Sequence, residues 1–172
     1  MEDRTGSVSV RRRNVPALAT AMLAALAAPA VAQTRAPAGR AAEQFAVALN
    51  AHDLAAFAAL FAADYRQHQF SAAAPPPAPG MTAKQATVAF FTARLTGLPD
   101  LAVSIEAMFA ADDMVAASFV YEGTHRGLYF GVAPTGRHLR FSSCDIFKVR
   151  DGLIVEHWGM GDIAGVLAQL KS

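Results

Sequence analysis

From Arg40 onward the apolar residues Ala41, Phe45, Ala48 and Leu49 recur at helical spacing and predict a first helix. Asp53 stands where an N-cap belongs, ahead of a second helix with Leu54, Phe57, Leu60 and Phe61 on one side. Between Asp64 and Gly80 the periodicity stops. Pro75, Pro76, Pro77 and Pro79 remove donors and disfavour helix, so this stretch reads as a loop, long enough to serve as a lid. Thr82 and Gln85 then form a capping box for a third helix with Val88, Phe91 and Leu95 inward, ended by Gly97 and Pro99.

Beyond Leu101 the period changes to two: Leu101, Val103, Ile105 and Ala107 alternate with Ala102, Ser104 and Glu106. Asp112-Asp113 makes a turn, Met114 to Glu122 a second strand, residues 137–149 a third and Leu153 to Trp158 a fourth. The last two are joined by the tight Asp151-Gly152 turn. Asp162 caps a short closing helix carrying Ile163, Val166, Leu167 and Leu170. Three helices followed by a four-stranded meander predict an α+β fold, in which helices cover one face of a strongly curved antiparallel sheet. Such a cone-shaped α+β barrel encloses an apolar cavity open at one end.

The first 32 residues have a different character. Arg11-Arg12-Arg13 forms a positive region, Val15 to Ala28 an Ala- and Leu-rich apolar run, and Ala30-Val31-Ala32 a small-residue cleavage site. This is the pattern of a signal peptide, with residues 33–39 as a disordered leader and 40–172 as a single domain. Too short and alanine-rich for a transmembrane helix, the run implies a bacterial protein cleaved near Ala32 and periplasmic or secreted, with no stable membrane span in its mature form. Four of the 15 basic and two of the 14 acidic residues lie in that segment, leaving 11 and 12, a net charge of −1. No basic surface remains to neutralise phosphates, which argues against nucleic acid as a partner. The single cysteine, Cys144, allows no internal disulfide, and its neighbours Ser143 and Asp145 supply no cation to activate it.

Parity along the third strand locates candidate chemistry. Phe141, Ser143, Asp145, Phe147 and Val149 share one face, while Lys148 and Arg150 fall on the other, so the first face points inward and Asp145 lies among phenylalanines. A buried carboxylate is either hydrogen-bonded or driven toward its neutral form, and a carboxylate in an apolar pocket suits proton abstraction next to a carbonyl. The Asp151-Gly152 hairpin brings His157 toward Asp145, an acid–base pair in which the carboxylate fixes the imidazole tautomer. Tyr65 and His68 leave the second helix where the cone opens; Tyr121 and His125 are further ligand-binding candidates, with Gly123 and Gly127 setting His125 in a bend where shape often matters more than chemistry; Phe141, Phe147 and Trp158 supply apolar pocket surface. Each polar residue also has a structural reading, as a satisfied core group or a loop residue. No His-Glu-x-x-His, paired-cysteine or Asp-rich loop marks a metal site, no Gly-x-Ser-x-Gly elbow marks a serine hydrolase, and no glycine-rich fingerprint marks a dinucleotide site. The expected enzyme uses no cofactor and no metal.

An ordered set of short segments carries a family resemblance over about Arg40 to Leu170. It comprises Leu49-Asn50-Ala51-His52-Asp53, Asp64-Tyr65 with His68, Leu98-Pro99-Asp100, Gly123-Thr124-His125, Pro134-Thr135-Gly136-Arg137, Asp151-Gly152, Glu156-His157-Trp158 with Asp162, and Gln169-Leu170. In this the chain resembles the SnoaL-like polyketide cyclases (ester cyclases) of the nuclear-transport-factor-2-like superfamily. The resemblance implies the cone-shaped barrel, a homodimer formed through the outer sheet, and ring closure by intramolecular aldol condensation with acid–base side chains. The family's catalytic aspartate corresponds to Gly159 here, and a pocket histidine of those enzymes corresponds to Asp145. The constellation is therefore rearranged. The expected function is cofactor-independent acid–base chemistry of aldol, isomerase or lactone type on a small apolar carbonyl compound, with Asp145 as base and His157 and His68 orienting it or donating to the enolate. A non-catalytic periplasmic binding module for a hydrophobic small molecule is the alternative, and a structural dimer with a filled core is a third reading.

Overall fold

The computed structural model describes residues 37–70 and 75–172. The expected signal segment lies outside the described residues, as do 33–36 and part of the proline-rich connector. Helix α1 (Pro37–Asn50) opens on a proline, whose fixed φ and missing N–H suit the first helical turn, so residues 37–39 are helical where the sequence suggests a leader. Ala38, Ala41, Ala42 and Ala48 are buried on α1 and let it lie close to the sheet. Phe45 projects from it into the centre of the core, 5.2–5.3 Å from the ring centroids of Phe57, Phe91, Phe119 and Phe147. At the end of α1 the Asn50 side chain donates to the Val103 carbonyl (2.9 Å) and accepts from its N–H (2.7 Å), tying the helix to the first antiparallel strand.

Helix α2 (Leu54–Ala59) is capped by Asp53 as expected, but it ends before Phe61. Phe61 instead opens a strand, β1 (Phe61–Gln67), in a segment the sequence places partly in helix and partly in loop. That strand lacks clean alternation because its pairing is interrupted: Phe61 pairs with Ile154, Arg66 with Glu156, and the register shifts between them. Helix α3 (Ala83–Gly97) starts at the Thr82–Gln85 capping box, with both reciprocal bonds present. The remaining strands, β2 (Ala102–Ala111), β3 (Met114–Thr124), β4 (His138–Arg150) and β5 (Leu153–Gly161), follow the expected meander, and α4 (Ile163–Lys171) closes the chain on an Asp162 cap.

The sheet therefore has five strands rather than four, in the order β1-β5-β4-β3-β2, with β1 running parallel to β5 and all other pairs antiparallel. It is mixed, curls around the helices and does not close. Burial on β4 alternates along its whole length, with Leu139, Phe141, Ser143, Asp145, Phe147 and Val149 inside. The β4–β5 turn has Asp151 and Gly152 both at positive φ (53° and 79°), which is why that dipeptide signals a two-residue hairpin.

Candidate active site

Between α3, the concave face of the sheet and the 75–81 segment lies a cavity of about 770 Å³. Phe70, Pro76, Met81, Phe90 and Met160 supply apolar wall, and polar groups gather at one side: Thr87, Arg94, Tyr121, Ser143, Asp145 and His157. All six are buried, Asp145 and His157 to 5% and 4% exposure. Ligand pockets are built this way, a large apolar volume with a few convergent polar groups.

The polar side is a continuous hydrogen-bonded chain across four strands. Asp145 Oδ1 lies 2.7 Å from His157 Nε2, and Ser143 Oγ donates to the other carboxylate oxygen. Tyr121 OH approaches Ser143 Oγ at 3.5 Å. On the far side His157 Nδ1 is 3.0 Å from Tyr65 OH, which donates to Gln67 Oε1 (2.8 Å) and accepts from Thr87 Oγ1 (3.3 Å). Gln67 is oriented by donating through Nε2 to the Gln69 carbonyl (3.1 Å). With the Tyr65 proton committed to Gln67, its oxygen accepts from Nδ1, and a single proton lies between Nε2 and Oδ1. Burial raises both tyrosine pKa values, so Tyr65 and Tyr121 remain protonated donors.

Asp145 and His157 meet although they are not cross-strand neighbours. A register shift between Lys148 and Val149 places Gly159 opposite Asp145 and His157 opposite Phe147, and the imidazole reaches back diagonally to the carboxylate. Gly159 makes this possible. A Cβ there would stand 2.6 Å from both Asp145 Oδ1 and His157 Nε2. The missing side chain at Gly159 thus leaves the space that the Asp145–His157 pair occupies.

Of the other sequence candidates, Tyr121 lines the cavity and Tyr65 stands behind His157. Phe141 stacks on Tyr121 at 5.2 Å, and Phe147 packs against the His157 ring in the core. His125 is fully buried in the β3–β4 connection, where its Nδ1 accepts from the Thr135 N–H; it holds that loop rather than the pocket. His68 and Trp158 require a correction. Trp158 lies on the convex face, by the same parity that turns His157 inward, and His68 stacks on it at 4.3 Å while bonding Glu156 at 2.7 Å. Neither reaches Asp145. Among the described residues no cluster of three or more His, Cys, Asp or Glu could hold a metal ion, and no helix is long and apolar enough to cross a membrane.

Sequence reasoning overlooked Arg94 and gave Ser143 no role. Arg94 stands one turn after Phe91 on the buried stripe of α3, which runs through Thr87, Phe91, Arg94 and Gly97, while the expected Val88 and Leu95 pack half-buried against the core beside it. A cation at that spacing from a core phenylalanine was the available signal. Its Cζ lies 4.6–5.2 Å from the ring centroids of Phe90, Phe91, Tyr121 and Phe141, and its Nε donates to Tyr129 OH at 3.2 Å.

Comparison with known proteins agrees with this architecture. The sequence profile of the SnoaL-like polyketide cyclases matches residues 39–170. Among solved structures, IdmH from Streptomyces antibioticus, named as a proposed polyketide cyclase, is 30% identical, with a TM-score of 0.66 over 77% of this chain and 97% of its own. AclR from Streptomyces galilaeus, named as a proposed hydroxylase, shares the fold at 23% identity and TM-score 0.66 over 77% of this chain and 93% of its own. A proposed polyketide cyclase from Acidithiobacillus ferrooxidans does so at 19% identity and TM-score 0.66, over 80% and 96%. No protein of curated function matches the chain.

Proposed function

We propose that this chain, which belongs to the SnoaL-like polyketide cyclase family, is an acid–base enzyme that removes a proton from the carbon beside a carbonyl in a small, largely apolar substrate. The observation that carries the reading is the division of labour within the Asp145–His157 pair. Both nitrogens of His157 are engaged, Nδ1 by Tyr65 and Nε2 by Asp145, so the imidazole positions and shares a proton. Asp145 stands in the cavity wall with lone pairs left for a substrate C–H. The proton moves to the carboxylate, and the electron pair moves from the C–H bond onto the carbonyl oxygen as an enolate. That enolate then attacks a second carbonyl of the same molecule (aldol closure) or is reprotonated elsewhere (isomerisation).

The test is solvent-deuterium wash-in. Ketones, β-keto esters and lactones are incubated with the protein in heavy water and followed by mass spectrometry, with Asp145→Asn beside the wild type. Exchange by the wild type, and a loss of at least about 100-fold in the variant, is expected for a general base. Exchange that persists in Asp145→Asn refutes the assignment. The second reading, a binding module, is favoured by the fact that both Asp145 oxygens already have protein partners. It predicts ligand-induced thermal stabilisation with no exchange on any compound.

Two further proposals concern the setting. The Arg11–Ala32 pattern supports export to the periplasm or medium. The row Phe109–Ala116–Ile146–Trp158, aligned across β2, β3, β4 and β5 on the convex face, supports a homodimer through that sheet. Phe109 is 78% and Ile146 38% exposed there. A monomer in sedimentation equilibrium at micromolar concentration would remove the dimer.

A further inference from the structure

Arg94 is the feature that the acid–base reading leaves without a task. It is 4% exposed, and among the described residues it takes part in no ion pair. A buried cation with no directly bonded carboxylate is costly, and the charge of Asp145 reaches Arg94 only across the cavity wall. Four aromatic rings surround the guanidinium and hold it in place, its Nε–H donates to Tyr129, and it also bonds the Tyr121 hydroxyl, which leaves further N–H groups of its five for a ligand. It lines the same cavity as Asp145, with Tyr121 and Ser143 between them. Arg94 is the one arginine or lysine among the residues that line the cavity, a permanent cation inside an apolar wall.

We propose that Arg94 is the anion-recognition group of this pocket, and that the ligand is an apolar molecule carrying one anionic oxygen, seated on the free edge of the guanidinium. Two chemistries present that oxygen. The ligand can arrive ionised, as a carboxylate or an acidic 1,3-dicarbonyl, or it can become an enolate when Asp145 takes its proton. In the second case the inference builds on the acid–base reading, and Arg94 carries the negative charge that develops opposite the base. Planar, bidentate recognition of this kind needs a guanidinium and not an ammonium.

The experiment is binding, not turnover. Three probes of one skeleton are titrated calorimetrically at pH 7.5 under reducing conditions: 3,3-dimethylcyclohexanone (neutral), 5,5-dimethyl-1,3-cyclohexanedione (ionised) and 3,3-dimethylcyclohexanecarboxylate (ionised). The wild type is expected to bind the ionised diketone at least tenfold more tightly than the ketone, and Arg94→Met and Arg94→Lys to lose that preference. Tight binding of the carboxylate as well identifies a ligand that brings its own charge; preference for the diketone alone identifies the enolate. Equal affinity for ketone and diketone in the wild type overturns the proposal, as does a preference that survives in a folded Arg94→Met. Should that variant not fold, the wild-type arginine Nε–H resonances decide: a shift on adding diketone but not ketone is expected, and no shift overturns the proposal. Arg94-dependent binding without deuterium exchange would retire the acid–base reading alone, and exchange without any Arg94-dependent preference would retire this one alone.

Discussion

Replacing Gly159 by alanine sets two physical effects against each other. A glycine inside a strand loses more conformational entropy on folding than alanine does, so propensity alone predicts a gain of roughly 0.5–1 kcal/mol. Gly159 does not lie in the left-handed region, so its backbone raises no objection to a side chain. Its surroundings do. The new methyl would stand 2.6 Å from Asp145 Oδ1 and from His157 Nε2, and 2.9 Å from His157 Cε1, where ordinary contact begins at 3.4 Å. Both polar atoms must retreat by about 0.8 Å, and neither is free to do so. Ser143 holds the carboxylate, and Tyr65 and the Phe147 ring hold the imidazole. Overpacking costs about 1–3 kcal/mol and weakening of the charge-assisted bond about 1.5–3. Allowing for the propensity gain, Gly159→Ala should destabilise by about 3 kcal/mol, or roughly 10 °C in melting temperature for a domain of this size. Thermal and urea unfolding followed by circular dichroism measure it. A double-mutant cycle with Asp145→Ala should recover at least about 1 kcal/mol as coupling, because one of the two clashes disappears. A variant as stable as the wild type, or more stable, would refute the claim that Gly159 makes room for the Asp145–His157 pair.

Tyr65→Phe removes the partner of Thr87, Gln67 and His157 at once; a loss of about 2 kcal/mol is expected in denaturant unfolding, together with an altered His157 tautomer in ¹⁵N NMR. Asp100 accepts the Thr124 N–H at 2.6 Å and its hydroxyl at 2.7 Å, and these bonds hold its carboxyl below the ordinary value of 3.8. Its contribution is therefore complete above about pH 4 and lost as the pH falls through the lowered pKa, so Asp100→Asn should flatten the acid limb of the stability curve while leaving its slope above pH 5 unchanged. Production of the full chain in a Gram-negative host should yield a periplasmic protein that begins at Gln33, read by intact mass; an uncleaved cytoplasmic product would refute export.

Local chemistry made much of the fold legible. Thr82 and Gln85 announce α3, Asp53 and Asp162 announce α2 and α4, and Asp151-Gly152 announces the hairpin, because each solves a backbone problem within four residues. The inward face of β4 followed from parity, and with it the place of Asp145. Features that depend on a bulge or on partners distant in sequence were hidden. β1 alternates poorly because its register slips against β5, so Phe61 read as helix and Asp64 to Gln67 as loop. His68 follows β1 onto the convex face, where its place depends on Trp158 and Glu156 of β5. Arg94 was missed because a cation on a buried stripe contradicts the pattern used to find the stripe; its aromatic surroundings come from three elements.

The chain of side-chain bonds from Tyr65 through His157, Asp145 and Ser143 to Tyr121 passes from β1 across β5 and β4 to β3. The backbone ladder already joins these strands in pairs, but β1 is an edge with interrupted pairing and depends on few such rungs. The polar chain thus acts as a girth strap around the concave side, and the Tyr65–His157 contact is its buckle. A change in protonation at the cavity wall is thereby also a change in tension at the rim, and amide exchange in Phe61–Gln67 becomes a remote gauge of what the cavity holds.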